Sequence, residues 1–189
     1  MRYFLTGGTG FIGSRVARRL VERGDEVVAL ARNPDAPAAR SLADVGVELA
    51  RGDITVPGTL RQPVRGVDGV FHLAAWYRVG DDADRAAAIN VDGTRNVLEA
   101  MREFDVPKGV YTSTLAVNSD TDGRRLHESY RHDGPHLSAY DETKWRAHHE
   151  VARPMIERGL PLVIVMPGAV YGPGDTSQLG DLLRRAARG

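Results

Sequence analysis

A chain of 189 residues with 42% hydrophobic side chains is long enough for one domain with a sizeable buried core. Lys+Arg and Asp+Glu both number 25, giving a formal net charge of +0, which excludes the basic footprint that a nucleic-acid backbone requires and sets nucleic acid aside as a partner. Cysteine is absent, the N-terminus turns glycine-rich too early for a signal-peptide core, and no apolar run approaches membrane-spanning length, so disulfides and thiolate chemistry are excluded and a soluble, cytoplasmic chain with no membrane partner is expected.

Tyr3 to Thr6 reads as a short strand, Gly7 to Gly13 as a glycine-rich turn, and Phe11 to Arg23 as a helix with Ile12, Val16, Ala17, Leu20 and Val21 on one face. Gly24 caps its end. Val27 to Ala31, Val47 to Ala50 and Gly69 to Ala74 are apolar runs of strand length bounded by turn residues. A helix around Ala86 to Phe104, a strand at Gly109 to Ser113, a helix from Ala139 to Arg158 and a strand at Leu162 to Met166 continue the pattern. Strands alternating with helices predict a parallel sheet, so the fold class is α/β, with six strands in a doubly wound arrangement. Pro63, in the short helix expected after Asp53, and Pro154, inside the helix that begins near Tyr140, predict local breaks, because proline lacks an N–H and its ring meets the carbonyl four residues back. No repeat, low-complexity segment or linker divides the chain.

Gly7, Gly10 and Gly13 are spaced G-x-x-G-x-x-G, directly after the first strand and at the start of the first helix. Glycine there permits the tight turn, lets backbone approach a pyrophosphate without a Cβ, and allows close helix–strand packing, while the helix N-terminus presents N–H groups to the anion. The position of the loop, more than its spacing, points to a dinucleotide rather than an ordinary turn. The second strand ends at Ala31 and Arg32, where NAD-selective sites place an acidic residue on the ribose 2′-hydroxyl. Arg32 offers a guanidinium to a 2′-phosphate instead, which favours NADP, with NAD the alternative. The plainer reading is a solvated arginine, in a chain whose only lysines are Lys108 and Lys144. Asp53 reads either as an acceptor for the adenine amino group or as a cap of the turn before Thr55. Asn90 either orders active-site backbone or is an ordinary polar surface residue.

Tyr140 and Lys144 stand four apart in Tyr-Asp-Glu-Thr-Lys, which on a helix makes them neighbours on one face. A phenol with an unperturbed pKa of about 10 is a poor base at neutral pH, and a nearby ammonium stabilises its phenolate, so Tyr140 can exchange a proton with a substrate oxygen while hydride moves. That spacing is common by chance, but Thr112, Ser113 and Thr114 end the fifth strand in the crevice where open α/β sheets bind ligands, and a hydroxyl there suits polarising a carbonyl. Three adjacent hydroxyl residues also fit simple β-propensity and turn chemistry. His127, His132, His136, His148 and His149 crowd one region, yet no pair has clean ligand spacing with a third acidic partner. A loop followed by a polar helix face accounts for them, and no metal is expected.

These segments together resemble the extended short-chain dehydrogenase/reductases, the NAD-dependent epimerase/dehydratase family. The matching stretches are Thr-Gly-Gly-Thr-Gly-Phe-Ile-Gly at 6–13, Gly-Asp-Ile at 52–54, Val-Phe-His-Leu-Ala-Ala at 70–75 and Asn-Val-Asp-Gly-Thr-Arg-Asn-Val-Leu at 90–98. Tyr-Thr-Ser-Thr at 111–114, Tyr-Asp-Glu-Thr-Lys at 140–144 and Pro-Gly-Ala-Val-Tyr-Gly-Pro-Gly-Asp at 167–175 follow in the family's order. The resemblance implies a Rossmann fold in which Gly7, Gly10, Phe11, Ile12 and Gly13 meet the pyrophosphate, Arg32 the adenosine end, and Asp53 and Ile54 the adenine. Leu73, Ala74 and Ala75 would contact the cofactor chiefly through backbone, with Asn90 and Thr112 nearby, and Pro167, Gly168 and Val170 would line the nicotinamide pocket. Tyr140 and Lys144 fall on the catalytic pair and touch the cofactor as well; Thr114 falls on the catalytic hydroxyl, with Ser113 its substitute one residue away.

Within that family the stretches at 31–34 and 170–175 are most similar to the dihydroflavonol-reductase-like and hopanoid-associated sugar-epimerase-like branch. The implied activity is hydride transfer between NADP or NAD and a carbonyl or secondary alcohol of a small molecule, by a reductase or an epimerase/dehydratase. The loops Trp76 to Asp84 and Asn118 to His136 are expected to meet the substrate. The alternative is a non-catalytic dinucleotide-binding sensor or interaction module. Family members run considerably longer, so residues 1–189 are expected to be the dinucleotide-binding domain, with 175–189 the start of a substrate-binding part that is otherwise missing. Homodimers of the family implicate the helices around Arg95 to Phe104 and Tyr140 to Glu157.

Overall fold

The computed structural model describes residues 1–77, 82–175 and 178–187, so residues 78–81 of the expected substrate loop lie outside the described residues. The apolar runs pair into one six-stranded parallel sheet of order β3-β2-β1-β4-β5-β6. In chain order the strands are β1 (Arg2–Thr6), β2 (Glu26–Ala31), β3 (Glu48–Arg51), β4 (Gly69–His72), β5 (Gly109–Thr112) and β6 (Leu162–Val165). The order reverses between β1 and β4, so their carboxyl ends frame the crevice that a doubly wound sheet offers to ligands.

Helices cover both faces. The first two are α1 (Phe11–Glu22) and α2 (Pro37–Ala43), followed by α3 (Arg61–Val64), α4 (Ala83–Ala87) and α5 (Gly93–Glu103). After β5 come α6 (Ala139–Arg146), α7 (Arg153–Glu157) and α8 (Gln178–Ala186). Side chains alternate along β1, so Tyr3 and Leu5 join Ala17, Leu20 and Leu42 on the α1/α2 face. Phe4 turns the other way and packs with Val70, Leu98, Met101 and Val151. Each such fully buried side chain contributes roughly 1.5–3 kcal/mol of transfer free energy, which holds α5 and the α6–α7 helix against the sheet. Thr6 is in register with His72, and His72 with Tyr111, so these three form a polar row near the carboxyl edge of that second face.

Pro154 does not break its helix. Residues Ala147–Ala152 form a π turn joining α6 to α7, and the Arg153 N–H bonds to the His148 carbonyl five residues back. The wider turn makes room for a proline ring that would otherwise meet the carbonyl four residues back. A second π turn, Ala88–Asp92, joins α4 to α5. Near Pro63 the expected break is present: a 3₁₀ turn at Pro57–Thr59 is followed by a helix of one turn, with the proline inside that first turn, where no N–H is required. Among the described residues no helix is long and apolar enough to cross a membrane.

Candidate active site

The glycine loop is set by contacts that only glycine allows. Gly7 has φ +73°, and a Cβ there would stand 2.6 Å from the Ala74 nitrogen, so the loop packs directly on the chain leaving β4. A Cβ on Gly13 would overlap the Gly7 carbonyl. Gly10 is the N-cap of α1 and provides no side-chain cap, and the first turn holds no acidic residue, so its amides are left for an anion in the crevice. Arg15 stacks on the Phe11 ring at 3.8 Å and donates to the Pro173 carbonyl, which ties the 167–175 segment to α1. The Leu115 N–H donates to the Pro167 carbonyl at 3.1 Å and holds the other end of that segment.

The facing wall is the Leu73–Trp76 stretch after β4. Ala74 donates its N–H to Thr6 Oγ1 at 3.2 Å. Trp76 donates to Asn90 Oδ1 at 2.7 Å, and Asn90 Nδ2 donates back to the Trp76 carbonyl at 3.2 Å and to Thr143 Oγ1 at 3.0 Å. Asn90 is buried, so of its two readings the structure realises the first: it orders this wall and links it to α6.

Ser138 caps α6 by accepting from the Asp141 N–H at 3.1 Å, and the helix then carries Tyr140 and Lys144 one turn apart into the same cleft. Lys144 is 2% exposed, and its Nζ donates to Tyr111 Oη and to the Thr112 carbonyl, both at 2.9 Å. Burial lowers its pKa to about 7. Burial raises the pKa of Tyr140; a hydrogen bond with Thr114 opposes that, while Tyr77 and Asp141 add to it. The Tyr77 ring lies edge-on to Tyr140 at 4.9 Å.

The three hydroxyl residues have different partners. Thr112 contributes its carbonyl to Lys144, Ser113 Oγ lies 2.9 Å from His148 Nδ1 and is buried, and Thr114 pairs with Tyr140 while also accepting from the Ala116 N–H at 3.2 Å. The expectation of a polar helix face at His148 and His149 is corrected: both are buried. Their rings continue a stack through Trp145 to His136 and His132, which packs the 132–136 loop against α6. Burial, reinforced by neighbouring cationic and imidazole groups, lowers both pKa values to about 4, so both rings are neutral at pH 7. Among the described residues no three metal-ligating side chains converge.

One cleft of about 950 Å³ runs from the glycine loop to Tyr140. Gly7, Gly10, Phe11, Ile12 and Gly13 line one end. Leu73, Ala75, Pro167, Gly168 and Val170 form its sides, and Thr112, Ser113, Thr114, Tyr140 and Lys144 its floor and far end. Arg32 lies outside it, exposed just beyond β2. Asp53 Oδ1 accepts from the N–H and hydroxyl of Thr55, both at 2.9 Å, which is the turn-capping geometry. Ile54 is buried beneath Gly93, so its side chain belongs to the core. Sequence reasoning missed Tyr111 as the partner of Lys144, and missed Leu115 and Leu137 as cleft-lining residues.

The chain matches a known family model, the NAD dependent epimerase/dehydratase family, over residues 3–189. The chain belongs to that family. It is 34% identical to the 2-alkyl-3-oxoalkanoate reductase of Stenotrophomonas maltophilia, covering 100% of this chain and 57% of the relative. It is 37% identical to the UDP-glucose 4-epimerase of Streptomyces lividans over 68% of this chain and 40% of that one. The crystal structure of the Thermus thermophilus UDP-glucose 4-epimerase, a complex with NAD, superposes with a TM-score of 0.82 at 30% identity, over 100% of this chain and 62% of that one. The chain thus spans little more than half the length of these fuller matches, and the family includes both reductases and epimerases.

Proposed function

We propose that this chain carries the cofactor-binding and proton-transfer half of an NADP-dependent enzyme that reduces a carbonyl group, or oxidises the corresponding alcohol. The observation that carries the reading is the single cleft that joins the uncapped start of α1 to Thr114, Tyr140 and Lys144. The α1 amides and Gly7–Gly13 backbone would bind a pyrophosphate, and Arg32 would meet a 2′-phosphate at the end of β2. A nicotinamide dinucleotide bound there supplies or accepts the hydride. Thr114 holds the substrate oxygen by hydrogen bond, Tyr140 delivers its phenolic proton to that oxygen, and Lys144 steadies the phenolate by charge. Tyr77, Leu115 and Leu137 are exposed apolar groups lining the substrate end of the cleft, which favours a ketone with an apolar substituent over a polyhydroxylated sugar.

The test is titration of the chain with NADPH and NADH, following nicotinamide fluorescence, alongside Arg32→Asp. Micromolar NADPH binding, weakened at least tenfold by Arg32→Asp with little effect on NADH, is the expected outcome. Equal affinity for both nucleotides would remove Arg32 from the site, and binding of neither would overturn the reading for this chain.

A further inference from the structure

The polar row across β1, β4 and β5 is one continuous hydrogen-bonded chain. Ala74 donates to Thr6 Oγ1 at 3.2 Å, and Thr6 Oγ1 lies 2.7 Å from His72 Nδ1. His72 Nε2 lies 3.0 Å from Thr94 Oγ1, which donates its single hydrogen to the Asn90 carbonyl at 2.6 Å. Thr94 therefore accepts from the ring, which places the His72 proton on Nε2 and makes Nδ1 the acceptor of the Thr6 hydroxyl. The Tyr111 hydroxyl also bonds to Thr94. The Tyr111 oxygen in turn accepts from Lys144 Nζ at 2.9 Å. All four side chains, Thr6, His72, Thr94 and Tyr111, are buried, so water offers no competing partner.

We infer that Tyr111 is a positioning residue for Lys144: together with the Thr112 carbonyl its hydroxyl fixes two of the three ammonium hydrogens and leaves the third for the cleft. The inference rests on Lys144 belonging to the catalytic pair. The titratable groups around this ammonium among the described residues include Tyr111 from β5, His72 from β4, and Tyr140 and His148 from its own helix, with Asp175 lining the same cleft. His72 and His148 are neutral, with pKa values lowered to about 3 and about 4, so neither supplies charge that could replace the phenol.

Only Lys108 and Lys144 are lysines, so protein labelled with ¹³C at lysine Cε gives two resonances, assigned with Lys108→Arg. Lys144 should titrate near 7 in the wild-type chain. Tyr111→Phe should lower that midpoint by about one pH unit, a roughly tenfold smaller protonated fraction, because a buried ammonium loses a hydrogen bond of that strength. Thr94→Val, which keeps the phenol but removes its threonine partner, should give a smaller shift in the same direction. A folded Tyr111→Phe protein with an unmoved midpoint would show that the ring only packs. If that variant does not fold, Tyr140→Phe protein labelled at tyrosine Cζ reads the same link: one resonance must follow the Lys144 midpoint, and none doing so overturns the inference. NADPH titration of each variant separates the two readings. A displaced midpoint in a chain that binds no cofactor keeps the positioning role and sinks the proposed function; intact cofactor binding with an unmoved midpoint sinks the positioning role alone.

Discussion

Ser113 and Thr114 are adjacent in sequence, yet strand geometry sends them to opposite sides, one to His148 and one to Tyr140. The two hydroxyls should therefore separate in mutagenesis. Thr114→Ala should lower turnover roughly 10²- to 10³-fold, the scale of losing one positioned donor to a reacting oxygen, with a small change in stability. Ser113→Ala should do the reverse, destabilising by about 1–2 kcal/mol because a buried imidazole nitrogen loses its partner, with turnover changed less than tenfold. Urea unfolding and NADPH consumption measured on both variants decide it, and the opposite ranking would make Ser113 the catalytic hydroxyl. At this scale the sequence brought Tyr140, Lys144 and the hydroxyl run to one cleft, because spacing on a helix and position at a strand end carry that information. It left Ser113 and Thr114 open, since a step of one residue changes the face and only the partner shows which face matters. Tyr111 was hidden because a tyrosine in a strand reads as apolar filling, and the Lys144 that meets its hydroxyl is 33 residues away. His148 and His149 were misread for the same reason: nothing local tells that Ser113 meets His148 or that the 132–136 loop packs on Trp145 beside His149.

The strands were legible because a parallel sheet buried on both faces demands continuous apolar runs, and β2 keeps five of its six residues buried. The π turns were not, because a residue like Pro154 announces a fault in the hydrogen-bond ladder without saying whether the helix stops or widens. Glycines pose the same problem in miniature, since motif spacing does not distinguish a backbone clash from a side-chain clash. A Cβ at Gly13 would overlap the Gly7 carbonyl, which the glycine loop cannot move without losing its shape. A Cβ at Gly93 would meet Ile54 Cδ1 at 2.6 Å and Cγ1 at 2.8 Å, a side chain that can shift where backbone cannot. Gly13→Ala should cost about 1–3 kcal/mol and weaken NADPH binding by two orders of magnitude or more. Gly93→Ala should stay within about 1 kcal/mol of wild type, since alanine gains a similar amount from helix propensity. Thermal unfolding and nucleotide fluorescence on the pair would show equal effects if both glycines were only packing residues.

Three buried imidazoles are neutral in the folded chain, and this sets how its stability responds to pH. His72, His148 and His149 have folded pKa values of about 3, about 4 and about 4, against an ordinary 6.5. As pH falls below 6.5 the unfolded chain takes up protons that the folded chain refuses, so stability is lost through the window from 6.5 to about 4, and to about 3 for His72. His72 alone should cost about 2 kcal/mol at pH 5 relative to pH 7. Lys144 acts in the same direction at the other end: its folded value of about 7 lies below its ordinary 10.5, so between those limits the unfolded chain again binds the extra proton and stability rises with pH. Urea midpoints taken from pH 4.5 to pH 9 should therefore climb throughout, most steeply on the acid side. His72→Gln should lower stability at pH 7, where two hydrogen bonds to threonines are disturbed, yet flatten the acid limb by close to one proton. An acid limb of unchanged steepness in that variant would mean that the His72 ring takes up its proton while the chain is folded, and that the row from Thr6 to Lys144 opens to water without global unfolding.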